Sequence, residues 1–263
     1  MGSGMSPSRG SRSLVAVAAG AVLALAGGCA SGGDDTADKS VSSSPALSPK
    51  PSTTEEQPLT TAELAAALPR QGALPGYSVN GAPETRTGAE KSDHSVRSAA
   101  CQPLEDARSG VFADSAAGAR VPISALKFAP PTEILTFTSY RPRGAAAHLA
   151  SLTTALDACP SFSMPSRYGD RLSVDVARAE DQVPAGDASI SFRMHWVTTV
   201  NGFTSDTYVL VTTIRSGEAT LTDVADTGAG GQLSDAKKRS FLPQPDGRLL
   251  KSQVDALGRA QHA

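Results

Sequence analysis

The chain has 263 residues, enough for one large domain or two small ones once any processed segment is removed. A net charge of −2, with 19% charged and 40% hydrophobic residues, excludes a basic nucleic-acid binder and a chain disordered throughout. Glycine (24) and proline (18) are too few for a collagenous or wholly low-complexity sequence.

The amino terminus has the three-part layout of a secretory signal peptide. Arg9 and Arg12 precede an uncharged apolar run over residues 14–25, and Ala26, Gly27, Gly28 and Cys29 follow. A membrane-spanning helix needs about 20 predominantly apolar residues, and this run is shorter and rich in Ala and Gly. The stretch Leu25-Ala26-Gly27-Gly28-Cys29 resembles a bacterial lipobox, with Ala26 where that pattern usually has Leu. The resemblance implies a signal peptide over 1–28 and a lipidated Cys29 as the first mature residue. Ordinary cleavage in the same small-residue cluster, leaving a free thiol, is the alternative. Each buried CH₂ contributes about 0.8 kcal/mol, so one acyl chain holds a protein marginally and two hold it stably. A diacylglyceryl group on Cys29 supplies two. Removing residues 1–28 takes away two arginines and no acid, leaving −4, so anionic headgroups would not attract the body. A covalent anchor is then the expected tether.

Residues 30–58 contain no aromatic side chain and only Val41 and Leu47 as larger aliphatics. Such a segment cannot bury enough apolar surface to offset its ordering entropy, and it reads as a Ser/Thr/Pro-rich stalk. A single domain is expected over 59–261. It opens with a capping box, Thr60 to Glu63, ahead of Leu64 and Leu68 on one helical face. Pro69 ends that helix, and residues 74–77 make a turn.

Cys101 and Cys159 are the two cysteines left after Cys29. In an exported protein an even pair reads as a disulfide, closing a loop worth about 4 kcal/mol by chain entropy. Two buried thiols that never meet are the alternative. No CxxC is present, so a zinc ribbon or thioredoxin-like site is unsupported. Ala145, Leu149, Leu152, Leu156 and Cys159 fall on one helical stripe that Pro160 terminates, which predicts a bridge stapling helix to sheet.

Strands are expected over 123–128 and 133–140, and over 172–176 with Leu172, Val174 and Val176 alternating. Ile190, Phe192, Met194 and Trp196 alternate with Ser191, Arg193 and His195, and Asn201-Gly202 predicts a hairpin into 207–215. Ser216-Gly217 leads to a further strand at 220–224, and a last helix starts near Asp246 with Leu250, Val254 and Leu257 inward. The fold class is α+β: a curved antiparallel sheet, helices packed on one face, one disulfide.

These elements resemble a family of actinobacterial lipoproteins similar to the extracellular sensor domain of PknH-type serine/threonine kinases. The matching stretches are 64–79 (LAAALPRQGALPGYSV), 145–162 ending ALDACPSF, 186–192 (GDASISF) and 248–261. The resemblance implies a cleft for a ligand. That family carries two disulfides, and this chain has cysteines for one.

Catalytic motifs are missing: no G-x-S-x-G, H-E-x-x-H, P-loop or G-x-G-x-x-G after a strand. Gly228-Ala229-Gly230-Gly231 lacks the flanks of a phosphate cradle and reads as a mobile loop. His94, His148, His195 and His262 show no ligand spacing, so no metal or cofactor is expected, and His148 and His262 read as solvated. Ser191, Arg193 and His195 share one strand face and are the candidate ligand contacts, Arg193 pairing an anionic group and His195 hydrogen-bonding it. An ordinary solvent face is the alternative, and Trp196 and Phe192 read as core. The function expected is a membrane-anchored extracytoplasmic sensor or ligand-binding module, not an enzyme. Its ligand would be an anionic lipid or a cell-wall fragment. The alternative is an envelope scaffold that docks another protein.

Overall fold

A computed structural model describes residues 57–88, 95–111, 114–126, 132–166, 171–180, 183–231 and 234–263. The segment read as a signal peptide, Cys29, the segment read as a stalk up to residue 56, and His94 lie outside the described residues. No helix among the described residues is long and apolar enough to cross a membrane.

The domain opens on the expected capping box. Thr60 Oγ1 accepts from Glu63 N at 3.3 Å, Glu63 Oε2 accepts from Thr60 N at 2.7 Å, and helix α1 runs Thr61–Ala67. Two short strands follow, β1 (Tyr77–Val79) and β2 (Glu84–Thr87), then a 3-10 turn at Ala99–Cys101 and helix α2 (Gln102–Ser109). Gly110 closes α2 at φ 69, a left-handed cap that favours glycine. Strands β3 (Ser115–Ala125) and β4 (Thr132–Tyr140) lead to helix α3 (Gly144–Ala158). Five strands then run as a meander: β5 (Ser161–Pro165), β6 (Arg171–Arg178), β7 (Ala188–Val200), β8 (Phe203–Ser216) and β9 (Ala219–Gly230). Helices α4 (Asp235–Phe241) and α5 (Gly247–Gln261) complete the chain. Asp246 caps α5, its Oδ1 accepting from Arg248 N and Leu249 N, so the helix starts where the sequence placed it.

Among the described residues nine strands form one antiparallel sheet, ordered β1-β3-β4-β9-β8-β7-β6-β5. β1 pairs with Ile123–Ala125 and β2 with Ala117–Arg120, so the two share the outer edge of β3. From β4 at the centre, α3 carries the chain to the far edge at β5, and the meander returns it to β9 beside β4. Asn201 and Gly202 take φ 50 and 80, the two positive values a type I′ turn requires, and β7 and β8 pair without a slip up to Val200–Phe203.

The α+β class and antiparallel sheet are as the sequence indicates, but the helices are divided between both faces. On the first face α2 and α3 cover Phe192, Met194, Val209, Val211 and Val224. On the second, α1 and α5 cover Val121, Ile123, Leu135, Phe137, Ile214 and Leu221. Val211 and Ile214 lie on one strand at odd separation, so they point to opposite faces. The run Tyr208-Val209-Leu210-Val211, each residue 6% exposed or less, is apolar without alternation because both its faces are buried.

Four local expectations are corrected. β3 begins at Ser115 rather than 123, because Ala117 and Ala119 are small enough to lie in the core with α1. Gly228 and Gly230 are in β9 rather than a loop, with Gly228 opposite Thr207 and Ala229 opposite Asp206. His148 is not solvated: it stacks on Tyr140 at 5.6 Å, and burial pushes its pKa down to about 4, keeping it neutral. Cys101 and Cys159, 58 residues apart, form the disulfide with Cα atoms 5.7 Å apart, but it ties the turn before α2 to the end of α3 rather than helix to sheet.

Candidate functional site

The β7–β8 hairpin is longer than its neighbour. β6 pairs β7 only as far as Trp196, so the last four residues of β7 and the first of β8 run on beyond it. Where the first face is no longer covered, a pocket of about 520 Å³ opens. Alternation decides what lines it. β7 turns Trp196, Thr198 and Val200 inward, β8 turns Phe203, Ser205 and Thr207, and Met164 and Leu172 close the side. The lining is therefore an apolar surface interrupted by hydroxyls. Phe203 is 82% exposed at the hairpin tip, a large aromatic face at the rim.

The charged wall comes from α2 and β9. Arg108 Nε and Nη2 donate to Glu105 Oε2 and Oε1 at 2.7 and 2.5 Å, and the Glu105 side chain is fully buried. The guanidinium carbon lies 5.8 Å from the centre of the Trp196 ring, within cation–π range. Asp226 stands on the same wall; desolvation pushes its carboxyl up and the Arg108 charge opposes that rise. Arg108 is thus already neutralised by Glu105, and no other cation lines the pocket among the described residues.

Ser191, Arg193 and His195 lie on the second face, away from this pocket, and the structure separates them. Ser191 is fully buried and its Oγ donates to Thr212 Oγ1 at 3.2 Å. Arg193 Nη2 donates to Pro243 O at 3.5 Å and Gln244 Oε1 at 3.4 Å. His195 Nε2 is hydrogen-bonded to Asp206 Oδ1 at 2.9 Å, its Nδ1 lies 3.9 Å from Asp175 Oδ2, and its ring stacks on Tyr208 at 4.6 Å. Arg193 and His195 share the lining of a smaller hollow of about 270 Å³ with Tyr208 and Leu242, and Ser191 does not reach it.

Arg108, Phe203 and Asp226 escape the sequence reading. Only Phe203 carried a local signal: an aromatic residue directly after an Asn-Gly turn sits at a hairpin tip, where nothing in the hairpin can cover it. Arg108 reaches the pocket because the disulfide and α3 set α2 against the sheet, a placement no motif encodes.

Fold and geometry together define an α+β domain with an open pocket at one end of a largely antiparallel meander. Among solved structures the chain is similar to the extracellular domain of PknH from Mycobacterium tuberculosis, at 13% identity and a TM-score of 0.49, covering 78% of this chain and 99% of that one. It is also similar to the Rv0999 ortholog from Mycobacterium smegmatis (15% identity, TM-score 0.34, 77% and 95% covered). A third is LpqN of Mycobacterium tuberculosis, described as involved in cell envelope biogenesis (13% identity, TM-score 0.27, 74% and 95% covered). No protein-family model matches the chain, and no curated protein sequence matches it.

Proposed function

We propose that the chain is an extracytoplasmic domain that holds a small molecule in the β7–β8 pocket and is tethered to the membrane through a lipidated Cys29. The observation that carries the binding reading is the pocket itself: about 520 Å³, with an apolar floor, hydroxyls at alternate positions and an aromatic rim. Its chemistry narrows the ligands expected from sequence. Because Glu105 already neutralises Arg108, a cell-wall fragment with an apolar body and neutral hydrogen-bonding groups suits the lining better than an anionic lipid. A second reading, docking of an envelope protein on the hairpin, is favoured by the exposure of Phe203 (82%) and Val197 (46%).

Native mass spectrometry of the protein recovered from its own membranes tests both. A bound small molecule is expected, and Phe203→Ala should weaken its binding about tenfold, the loss of roughly 1.4 kcal/mol of ring contact. Dependence on Arg193→Ala instead would move the site to the hollow beside His195. Protein recovered with no small molecule but with a stoichiometric partner lost in Phe203→Ala would replace binding by docking. The tether has its own assay: Cys29→Ala should shift the protein from the membrane fraction to the soluble one or leave it unprocessed, and unchanged, processed, membrane-bound protein would overturn it.

A further inference from the structure

On the second face, the segment joining α4 to α5 crosses the sheet as a strap over residues 242–246 (LPQPD). It is held at three places. Thr227 Oγ1 donates to Phe241 O at 2.7 Å at one end, Arg193 reaches Pro243 O and Gln244 Oε1 in the middle, and Tyr77 Oη donates to Asp246 Oδ2 at 3.1 Å at the other. The strap separates two hollows of about 270 Å³ each, one lined by Leu242 with Arg193 and His195, the other by Asp246 with Tyr77 and Arg248.

Two carboxyls are buried on the same sheet face. Glu133 on β4 is 5% exposed and Asp223 on β9 is 2% exposed. Glu133 stands opposite Ala225, and Asp223 opposite Leu135, which makes the two acids diagonal neighbours on one face. Glu133 Oε2 and Asp223 Oδ1 have no hydrogen-bond partner, and neither acid forms an ion pair among the described residues. The buried side chains that α1, its C-cap Leu68 and β3 turn to this face, Leu64, Leu68, Val121 and Ile123, are apolar. Thr212 of β8 stands opposite Asp223 and accepts from Ser191. Among the described residues the other titratable and charged groups on this side include Tyr77 of β1, Asp246 of the strap, Arg248 in the first turn of α5 and Arg193 of β7. Arg248 is exposed and Arg193 is bonded to the strap. Three acids thus meet with no cation bonded to the inner two among the described residues.

We propose that Glu133 and Asp223 form a proton-operated catch for this strap: while at least one of them holds a proton the strap stays closed on the sheet, and when both ionise the strap lifts and admits water. Two unpaired carboxylates in a dry site repel one another and lose their hydration, and opening relieves both penalties. The direction of titration agrees. Burial first and Asp246 second push Glu133 up to about 7, and burial, with Glu133 and Asp246, raises Asp223 well above the carboxylate range. Tyr77 is raised too, chiefly by burial, so it remains a donor to Asp246. A carboxyl that holds its proton more tightly when folded contributes fully below the unfolded value of about 4, and that contribution is lost as pH rises through the folded value. The strap is therefore closed in acid; its release begins no lower than the Glu133 value of about 7 and is complete only once Asp223 has ionised as well.

Hydrogen–deuterium exchange on the intact protein, corrected for the chemical exchange rate, tests this. Between about pH 5.5 and about pH 10, protection over the strap and the first turn of α5 should fall roughly tenfold while α3 stays unchanged, with no loss below about pH 7. The variant Glu133→Gln/Asp223→Asn should keep its protection at both values. Wild-type protection independent of pH, or the same loss in the variant, would overturn the catch. Infrared spectroscopy of the wild type needs no variant: a protonated carboxyl band titrating near neutrality is expected, and a protein whose carboxyls are all ionised at about pH 6 would equally refute it.

Discussion

Replacing either Cys101 or Cys159 by serine is expected to lower stability by about 4 kcal/mol, the chain entropy released when a loop of this length is no longer closed. For a domain of roughly 200 residues this corresponds to a fall in Tm of roughly 10 °C. Scanning calorimetry with and without reductant should show the same fall in the wild type. The bridge fixes the turn from which α2 springs, and α2 carries Arg108 into the pocket wall. The reduced protein should therefore lose pocket binding at temperatures where the sheet is still folded. A drop of under about 1 kcal/mol would show that packing of α2 on α3 holds that face without the bond.

Arg108→Ala should be nearly as damaging, by about 3 kcal/mol, because it leaves the Glu105 carboxylate fully buried without its partner. Removing both charges is a different matter. Glu105→Met/Arg108→Leu replaces the pair by apolar side chains of similar length, and most of the lost stability should return. Denaturant titration of the two single variants and the double variant measures the coupling. Comparable losses in all three would mean that the pair contributes net stability rather than avoiding a penalty. The double variant also separates structure from recognition: it should fold, yet lose the Arg108 stack on Trp196 and with it part of the pocket's polar wall.

The elements read correctly from sequence share a short range. The Thr60–Glu63 capping box, the Asp246 cap, Pro160 after α3 and the Asn201-Gly202 turn each act on backbone groups within about four residues, so their chemistry is complete in the local string. The cysteine pair was legible by parity alone, although its partners in space were not. Where several signals conflicted, tertiary pairing prevailed. Ser115 to Arg120 and Gly228 to Gly230 look like loop by composition, yet each lies beside a strand that satisfies its backbone, and that pairing outweighs a weak propensity. α2 carried a usable sign, Gly110 at its end, but no side-chain cap at its start.

The candidate site divides the same way. Alternation along β7 placed Ser191, Arg193 and His195 on one face correctly, but what lies over that face depends on the strap, which arrives from fifty residues downstream to meet Arg193. The sequence by itself determined the α+β class, the β7–β8 hairpin, the starts of α1 and α5 and, by parity, the expectation of one disulfide, because each follows from residues read in place. Only the tertiary structure decided that helices cover both faces, that the hairpin overhangs to leave a pocket, and that Glu133 and Asp223 meet with no ion pair to either among the described residues. Those outcomes depend on which strands become neighbours: β4 lies beside β9 some ninety residues away, and burial of two acids is a property of that pairing rather than of either segment.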